Sequence, residues 1–280
     1  MKKILCPTDF SDRSLTTYRL ASRIAMSMSA DLILYHASVD VEDLSDNDPL
    51  WINNLSGIPP SLEVENKKIL ETWQQLKNSE SQDGKKARFD FIMEEGYPLA
   101  SITRFVAKND IDLIVMHTKS DHRQHYEGVY IGSVGAQVVE EVKCPVLLVP
   151  HGVAHESIKR MLYAVDLDCY SIDSIREADR FAESFNAKTI YLYLGDPRQE
   201  KINDFKKRVE EALDKKIEIE TRQAEDFVEG LNAIVIERET NLLIMERHRR
   251  NILEKLFSKS LLKAMEKYAE IPLLIMHVHD

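Results

Sequence analysis

The chain has 280 residues, enough for about two domains of roughly 150 residues that each bury a core. Its 37 lysines and arginines against 47 aspartates and glutamates leave a net charge of −10, which argues against a sequence-independent hold on nucleic-acid phosphates or an anionic membrane. Cys6, Cys144 and Cys169 form no CxxC and no disulfide framework, no run reaches the roughly 20 apolar residues of a spanning helix, and the opening MKKILCPTDF meets Pro7 and Asp9 before a signal peptide can form, so the expectation is a reduced, cytoplasmic protein.

In chain order, residues 4–6 read as a strand, and Leu15, Tyr18, Leu20 and Ile24 as the buried face of a helix that Asp12 or Ser14 can cap. Residues 32–35 form the next strand. The segment 41–86 then carries Asp-Asn-Asp-Pro at 46–49, Trp51, Pro59 and Pro60, followed by a helical stretch with Leu70, Trp73 and Leu76. It reads either as a lid or partner surface, or as a longer helix with a solvated connection. Strands at 89–93, 113–116 and 146–149 follow, separated by helices bearing Ile102, Phe105 and Val106, then Val134, Ala136, Val138 and Val139. Beyond Pro150 the strands are 161–165, 189–194, 217–219, 242–245 and 273–276. Continuously apolar strands alternating with helices imply a parallel sheet covered on both faces, with ligands beyond the carboxyl ends of its strands.

The two halves repeat. Residues 4–38 align without a gap on 161–195 at an offset of 157 (166 − 9), placing Asp9 on Asp166, Ser14 on Ser171 and Arg19 on Arg176. Later, His117 aligns with Glu246 at 129 (246 − 117), and Ser133 with Ser260 and Pro145 with Pro272 at 127. A period this long suits a duplicated domain, expected as 1–150 and 151–280.

The start I-L-C-P-T-D-F-S, the Gly132-Ser133 that opens a helix, and the closing C-P-V-L-L-V-P resemble the universal stress protein family, in two tandem copies. The resemblance implies two tandem five-stranded parallel sheets of order 3-2-1-4-5 with helices on both faces. It also implies an internal pseudo-dimer joined at the closing strands 146–149 and 273–276, whose apolar edges would otherwise lie open.

In the nucleotide-binding branch of that family, an acid after the first strand meets the adenosine end, and a loop G-x2-G-x9-G-[ST] after the fourth holds the phosphates through close backbone approach and a helix N-terminus. Here Asp9 matches the acid, with Pro7 and Thr8 as pocket wall, and Gly132, Ser133 and Val134 match the end of the loop. His117 and Ser120 stand where its first two glycines belong, and 11 residues separate Ser120 from Gly132. In the second copy Glu246, Arg249 and Lys259 replace all three glycines, and a carboxylate at 246 has the wrong sign for a phosphate site. The resemblance therefore leaves ATP or another adenine nucleotide as a cofactor for the first copy and none for the second.

Two further clusters are weighed. His117, His122 and His125 could supply imidazoles to a zinc ion, but without paired cysteines no metal is expected and solvated loop histidines are the simpler reading. Arg247-His248-Arg249-Arg250 with Lys255 and Lys259 reads as a patch for a small anionic ligand or as a solvated, ion-paired loop. No GxSxG, Walker A, HExxH or GxGxxG occurs, so no catalytic residue is assigned. Two functions are carried: a non-catalytic stress-response binding or adaptor protein with an unidentified protein partner, and an adenine-nucleotide switch using the first copy, with at most slow hydrolysis. Pairing into a homo-oligomer is compatible with both; nucleic acid is not expected as a partner.

Overall fold

The computed structural model describes residues 2–38, 88–117, 133–150, 158–224, 226–247 and 271–278. Segment 41–86, together with Ser120, His122, His125, Gly132, His248, Arg249, Arg250, Lys255 and Lys259, lies outside them. The first half runs β1 (Lys3–Pro7), α1 (Asp12–Met28), β2 (Asp31–Ser38), β3 (Phe89–Glu95), α2 (Pro98–Asn109), β4 (Leu113–His117), α3 (Ser133–Glu141) and β5 (Val146–Val149). The second runs β6 (Arg160–Ala164), α4 (Ile172–Ser184), β7 (Lys188–Leu194), α5 (Gln199–Leu213), β8 (Glu218–Arg222), α6 (Phe227–Glu237), β9 (Leu242–Arg247) and β10 (Leu273–His277).

The strands form one ten-stranded sheet in the order β3-β2-β1-β4-β5-β10-β9-β6-β7-β8. Each half has the expected 3-2-1-4-5 order, but the two runs are continuous rather than separate. Every pairing is parallel except β5 with β10, where Leu147 faces Leu274 across an antiparallel ladder. That junction is the one expected from the closing strands. It covers two apolar edges with each other and leaves β3 and β8 outermost.

Strand alternation sorts the core into two layers. Ile4, Cys6, Leu147, Tyr163 and Leu274 pack with residues of α1, α4 and α5 on one face. On the other face, Leu5, Ile114, Leu148, Leu162 and Leu273 pack with residues of α2, α3 and α6. Each layer mixes residues of both halves, so neither half has a core to itself. Among the described residues, no helix is long and apolar enough to cross a membrane.

The strand starts keep the sequence offsets: β1 and β6 are 157 apart (160 − 3), β4 and β9 are 129 apart (242 − 113), and β5 and β10 are 127 apart (273 − 146). Left-handed backbone repeats as well. Ser29 (φ 51) ends α1 where Asn186 (φ 52) follows α4, and Asp110 (φ 49) follows α2 where Glu239 (φ 48) follows α6. The helix starts break the register: α1 begins at Asp12 and α4 at Ile172, 160 apart. The cap of α1 is Ser11, not Asp12 or Ser14; the Ser14 amide donates to Ser11 Oγ. In the second half Ser171 itself is the cap, so its connection is three residues longer and its helix shorter, 13 residues against 17.

Of the basic run, Arg247 alone lies within the described residues, and it is bound into the fold. Its Nη1 donates to the Val139 and Glu140 carbonyls, each at 2.6 Å, and His277 Nε2 lies 2.9 Å from the Val139 oxygen. These are orphan carbonyls of the last turn of α3, where the helix dipole favours a cation. Two residues of the second half thus tie down a helix of the first. Arg247→Ala is expected to cost about 1 kcal/mol in urea denaturation, with Arg247→Lys in between because ammonium lacks the planar donor geometry.

Candidate functional site

The first crevice is built where β1 ends and the chain turns into α1. The Thr8 amide donates to the Tyr35 carbonyl at 2.9 Å, prolonging the β1–β2 ladder by one residue and fixing where Asp9 emerges. Thr8 Oγ1 is buried, donates to Ser14 Oγ at 2.9 Å and accepts from the Phe10 amide at 3.0 Å. His36 at the end of β2 places Nδ1 2.8 Å from the Thr8 carbonyl oxygen, a geometry in which Nδ1 carries the proton. Phe10 stands at φ 56, a rare conformation for a bulky side chain. Its ring meets His36 at 5.3 Å and Phe91 at 6.0 Å, edge to face.

Asp9 is the charged centre. Its Oδ1 accepts from the Ser11 amide at 3.1 Å and from Ser11 Oγ at 2.6 Å. Its Oδ2 accepts no hydrogen bond from the described residues and stands 3.6 Å from His117 Nε2 at the end of β4, the two side chains being 27% and 14% exposed. Burial pushes the Asp9 pKa up, but the His117 charge and the Ser11 hydrogen bonds outweigh it and hold the carboxyl below its ordinary 3.8. A depressed folded pKa means that Asp9 contributes stability above its unfolded value of about 3.9, which is lost as pH falls through the folded value. His117→Gln is therefore expected to raise the Asp9 midpoint in a carboxyl NMR titration, and an unchanged midpoint would show that no His117 charge reaches Asp9.

The structure thus brings Pro7, Thr8, Asp9 and His117 to one end of the sheet. Ser133 opens α3, and Val134 is half-buried against the layer beside α2 and α3. Ser120 and Gly132 lie outside the described residues, as do His122 and His125. Among the described residues, no group of three or more His, Cys, Asp or Glu is placed to hold a metal ion. Cys6 is wholly buried, which pushes its thiol up to about 12, so it is no nucleophile at neutral pH. Phe10 and His36 went unremarked in the sequence; their signal is position alone, at or just past the carboxyl ends of adjacent strands.

The second crevice has the same frame and a different filling. Asp166 folds onto its own loop, its Oδ1 accepting from the Asp168 amide at 2.9 Å, as an Asx turn does. Glu246, at the position of His117, turns inward and is 3% exposed. It accepts from Tyr163 Oη at 2.6 Å and from the Ser171 amide at 3.0 and 3.2 Å. Burial, together with the Glu246 carboxylate, holds the Tyr163 phenol well above its ordinary 10.0, so it remains a donor. Ser171 caps α4, so the carboxylate lies at a helix N-terminus, the place where a bound anion is favoured. The chain supplies that anion itself. Tyr163 was missed in the sequence, where its repeat partner is Cys6, a residue too short for this contact.

A sequence model described as the universal stress protein family matches residues 1–150. The chain is 31% identical over 154 residues to a universal stress protein of Methanocaldococcus jannaschii, spanning 53% of this chain and 81% of that one. In fold it is similar to a universal stress protein from Archaeoglobus fulgidus, with a TM-score of 0.72, 14% identity and 98% of each chain covered. It is also similar to the cytoplasmic domain of a prokaryotic cation chloride cotransporter, with a TM-score of 0.57, 8% identity and 98% and 94% covered. At such identities the structural likeness speaks for the fold and leaves activity to the site.

Proposed function

Because the chain belongs to the universal stress protein family, we propose that it serves the stress response as a non-catalytic binding or adaptor protein. It would act in the cytoplasm on a protein partner, as two tandem domains, 1–150 and 151–280, packed as an internal pseudo-dimer. Strand starts that keep the sequence offsets of 157, 129 and 127, and the antiparallel β5–β10 junction, support that division. The observation that carries the reading is Glu246: the crevice where a ligand would sit in the second half is occupied by a buried carboxylate with its donors already in place. A phosphate brought there would meet like charge, and removing the carboxylate would strand two donors. The test is an ATP hydrolysis assay on the purified chain, with mass spectrometry of the ligand it carries when purified without added nucleotide. The expected result is no turnover above the spontaneous rate, and steady hydrolysis would overturn the reading.

A second reading keeps an adenine nucleotide in the first crevice, with Asp9 accepting from it, Pro7 and Thr8 forming the wall and Ser133 donating to phosphate. It is favoured by Asp9 Oδ2, which is held by no hydrogen bond from the described residues, and by Phe10, the next residue, whose ring packs edge-on against His36. Calorimetry with ATP, ADP and AMP tests it, and absence of heat at millimolar ligand would end it. A switch additionally requires that these ligands bind with different affinities.

A further inference from the structure

The antiparallel β5–β10 junction sets the two halves end for end. Within each half every pairing is parallel, so the carboxyl ends of β6, β9 and β10 lie at the end of the sheet where β1, β4 and β5 begin. The crevice after β1 and the one after β6 therefore open at opposite ends. α3 follows the carboxyl end of β4 and leads to the start of β5, so it runs back along the sheet. Its first turn stands at the end that carries Asp9, and its last turn at the end that carries Glu246. There it meets the final residues of β9 and β10: Arg247 Nη1 donates to the Val139 and Glu140 carbonyls at 2.6 Å each, and His277 Nε2 lies 2.9 Å from the Val139 oxygen. The counterpart of His277 in the first half, at the offset of 127 (277 − 127), is Pro150, whose side chain has no donor with which to return the grip.

α3 has nine residues, and a helix that short is held by its contacts rather than by its own propensity. Val138 and Val139 are 0% exposed and fix its inner face in the layer with Leu148 and Leu273. Its place along its own axis is set at the last turn, where two side chains of the second half take carbonyls that no later turn of the helix satisfies. We propose that Arg247, with His277 beside it, is a positioning residue for the first crevice: by holding the last turn of α3 it sets where the first turn presents its amides to the phosphates of an adenine nucleotide. This rests on the nucleotide reading of the first crevice and adds to it a part for the second half. Glu246 precedes Arg247 on β9, and its bonds to Tyr163 and Ser171 hold that strand end in place. The half whose own crevice is filled thus serves as the brace for the crevice of the other. Arg247 acts from the far end of the helix without touching the nucleotide, and couplings of this kind change affinity by about twofold to thirtyfold.

The test is calorimetry on the full chain with ATP and with adenosine as probes, adenosine being read by competition against ATP where its own heat is small. Wild type, Arg247→Ala and Arg247→Lys are compared with Val209→Ala, a truncation of a buried residue of α5 on the opposite face of the sheet from α3. Arg247→Ala is expected to bind ATP about fivefold more weakly and adenosine within about twofold of wild type, with Arg247→Lys in between. Val209→Ala is expected to match wild type with both probes. Unchanged or tighter ATP binding in Arg247→Ala would overturn the brace and leave the nucleotide reading standing. An equal loss for ATP and adenosine, or a loss as large in Val209→Ala, would mean general loosening and overturn the brace too. No heat from wild type with either probe would overturn both. If Arg247→Ala does not fold, Arg247→Lys and His277→Gln carry the test, and ATP affinity must fall in each.

Discussion

Glu246→Ala is expected to lower the unfolding free energy by about 3 kcal/mol, although the carboxylate itself is costly to bury. The loss comes from what remains. Tyr163 Oη, 2.6 Å from Glu246, and the Ser171 amide at 3.0 Å would both be left as buried or half-buried donors with no acceptor. A stranded donor costs about 1 to 3 kcal/mol, and the first turn of α4 would lose the negative charge at its N-terminus as well. Glu246→Gln keeps an acceptor oxygen and should cost about 1 kcal/mol, since it gives up charge assistance but strands nothing. Tyr163→Phe removes the phenol while leaving Glu246 its amide, so the Tyr163→Phe, Glu246→Ala pair should fall short of the sum of the single changes by about 1 kcal/mol or more. Urea denaturation of the four variants reads all of this. A Glu246→Ala chain within about 0.5 kcal/mol of wild type would show that the second crevice is not held shut by its own carboxylate.

What could be read from the sequence follows from where side-chain pattern alone decides the structure. β1, β4 and β5 are apolar on both faces because both faces are covered, and such runs stand out wherever they occur. β8 is different: Glu218–Arg222 alternates around Ile219 at the sheet edge, so apolar content alone places it early, at 217–219. The helix register was the harder matter. Aligning Ser14 with Ser171 is correct for the strands on either side, since β1 and β6, like β2 and β7, start 157 apart (188 − 31 for the latter). Yet Ser14 lies inside α1 while Ser171 caps α4. The number of residues between strands is conserved, but their division between loop and helix is not. In the second half Glu246, 75 residues away in sequence, takes the Ser171 amide, a contact no local pattern carries, while the Ser171 side chain caps α4 locally by accepting from the Ser174 amide. Arg247 is another such case: only the carbonyls of α3, within 2.6 Å of its Nη1, show what this one residue of the run does.

Leu147→Ala and Leu274→Ala are each expected to cost about 3 kcal/mol, and their combination about 1 kcal/mol less than the sum. The two leucines are opposite one another in the antiparallel ladder, 0% and 1% exposed, on the face shared by α1, α4 and α5. Each single truncation opens a cavity in a layer with no solvent to fill it. Each also destroys the same contact between the two side chains, and that shared loss is counted twice when the singles are added. The further expectation concerns where the damage spreads. Because Ile4 and Leu34 of the first half lie in one packed layer with Tyr163 and Tyr191 of the second, a cavity at the junction weakens the common layer rather than one end of it. Native-state hydrogen exchange in Leu147→Ala should therefore quicken at the slowest amides of β1 and of β6 by similar factors, as for one cooperative unit. Protection lost in β1 alone, with β6 unchanged, would mean that the halves open independently and that the β5–β10 ladder joins two units without coupling their stability.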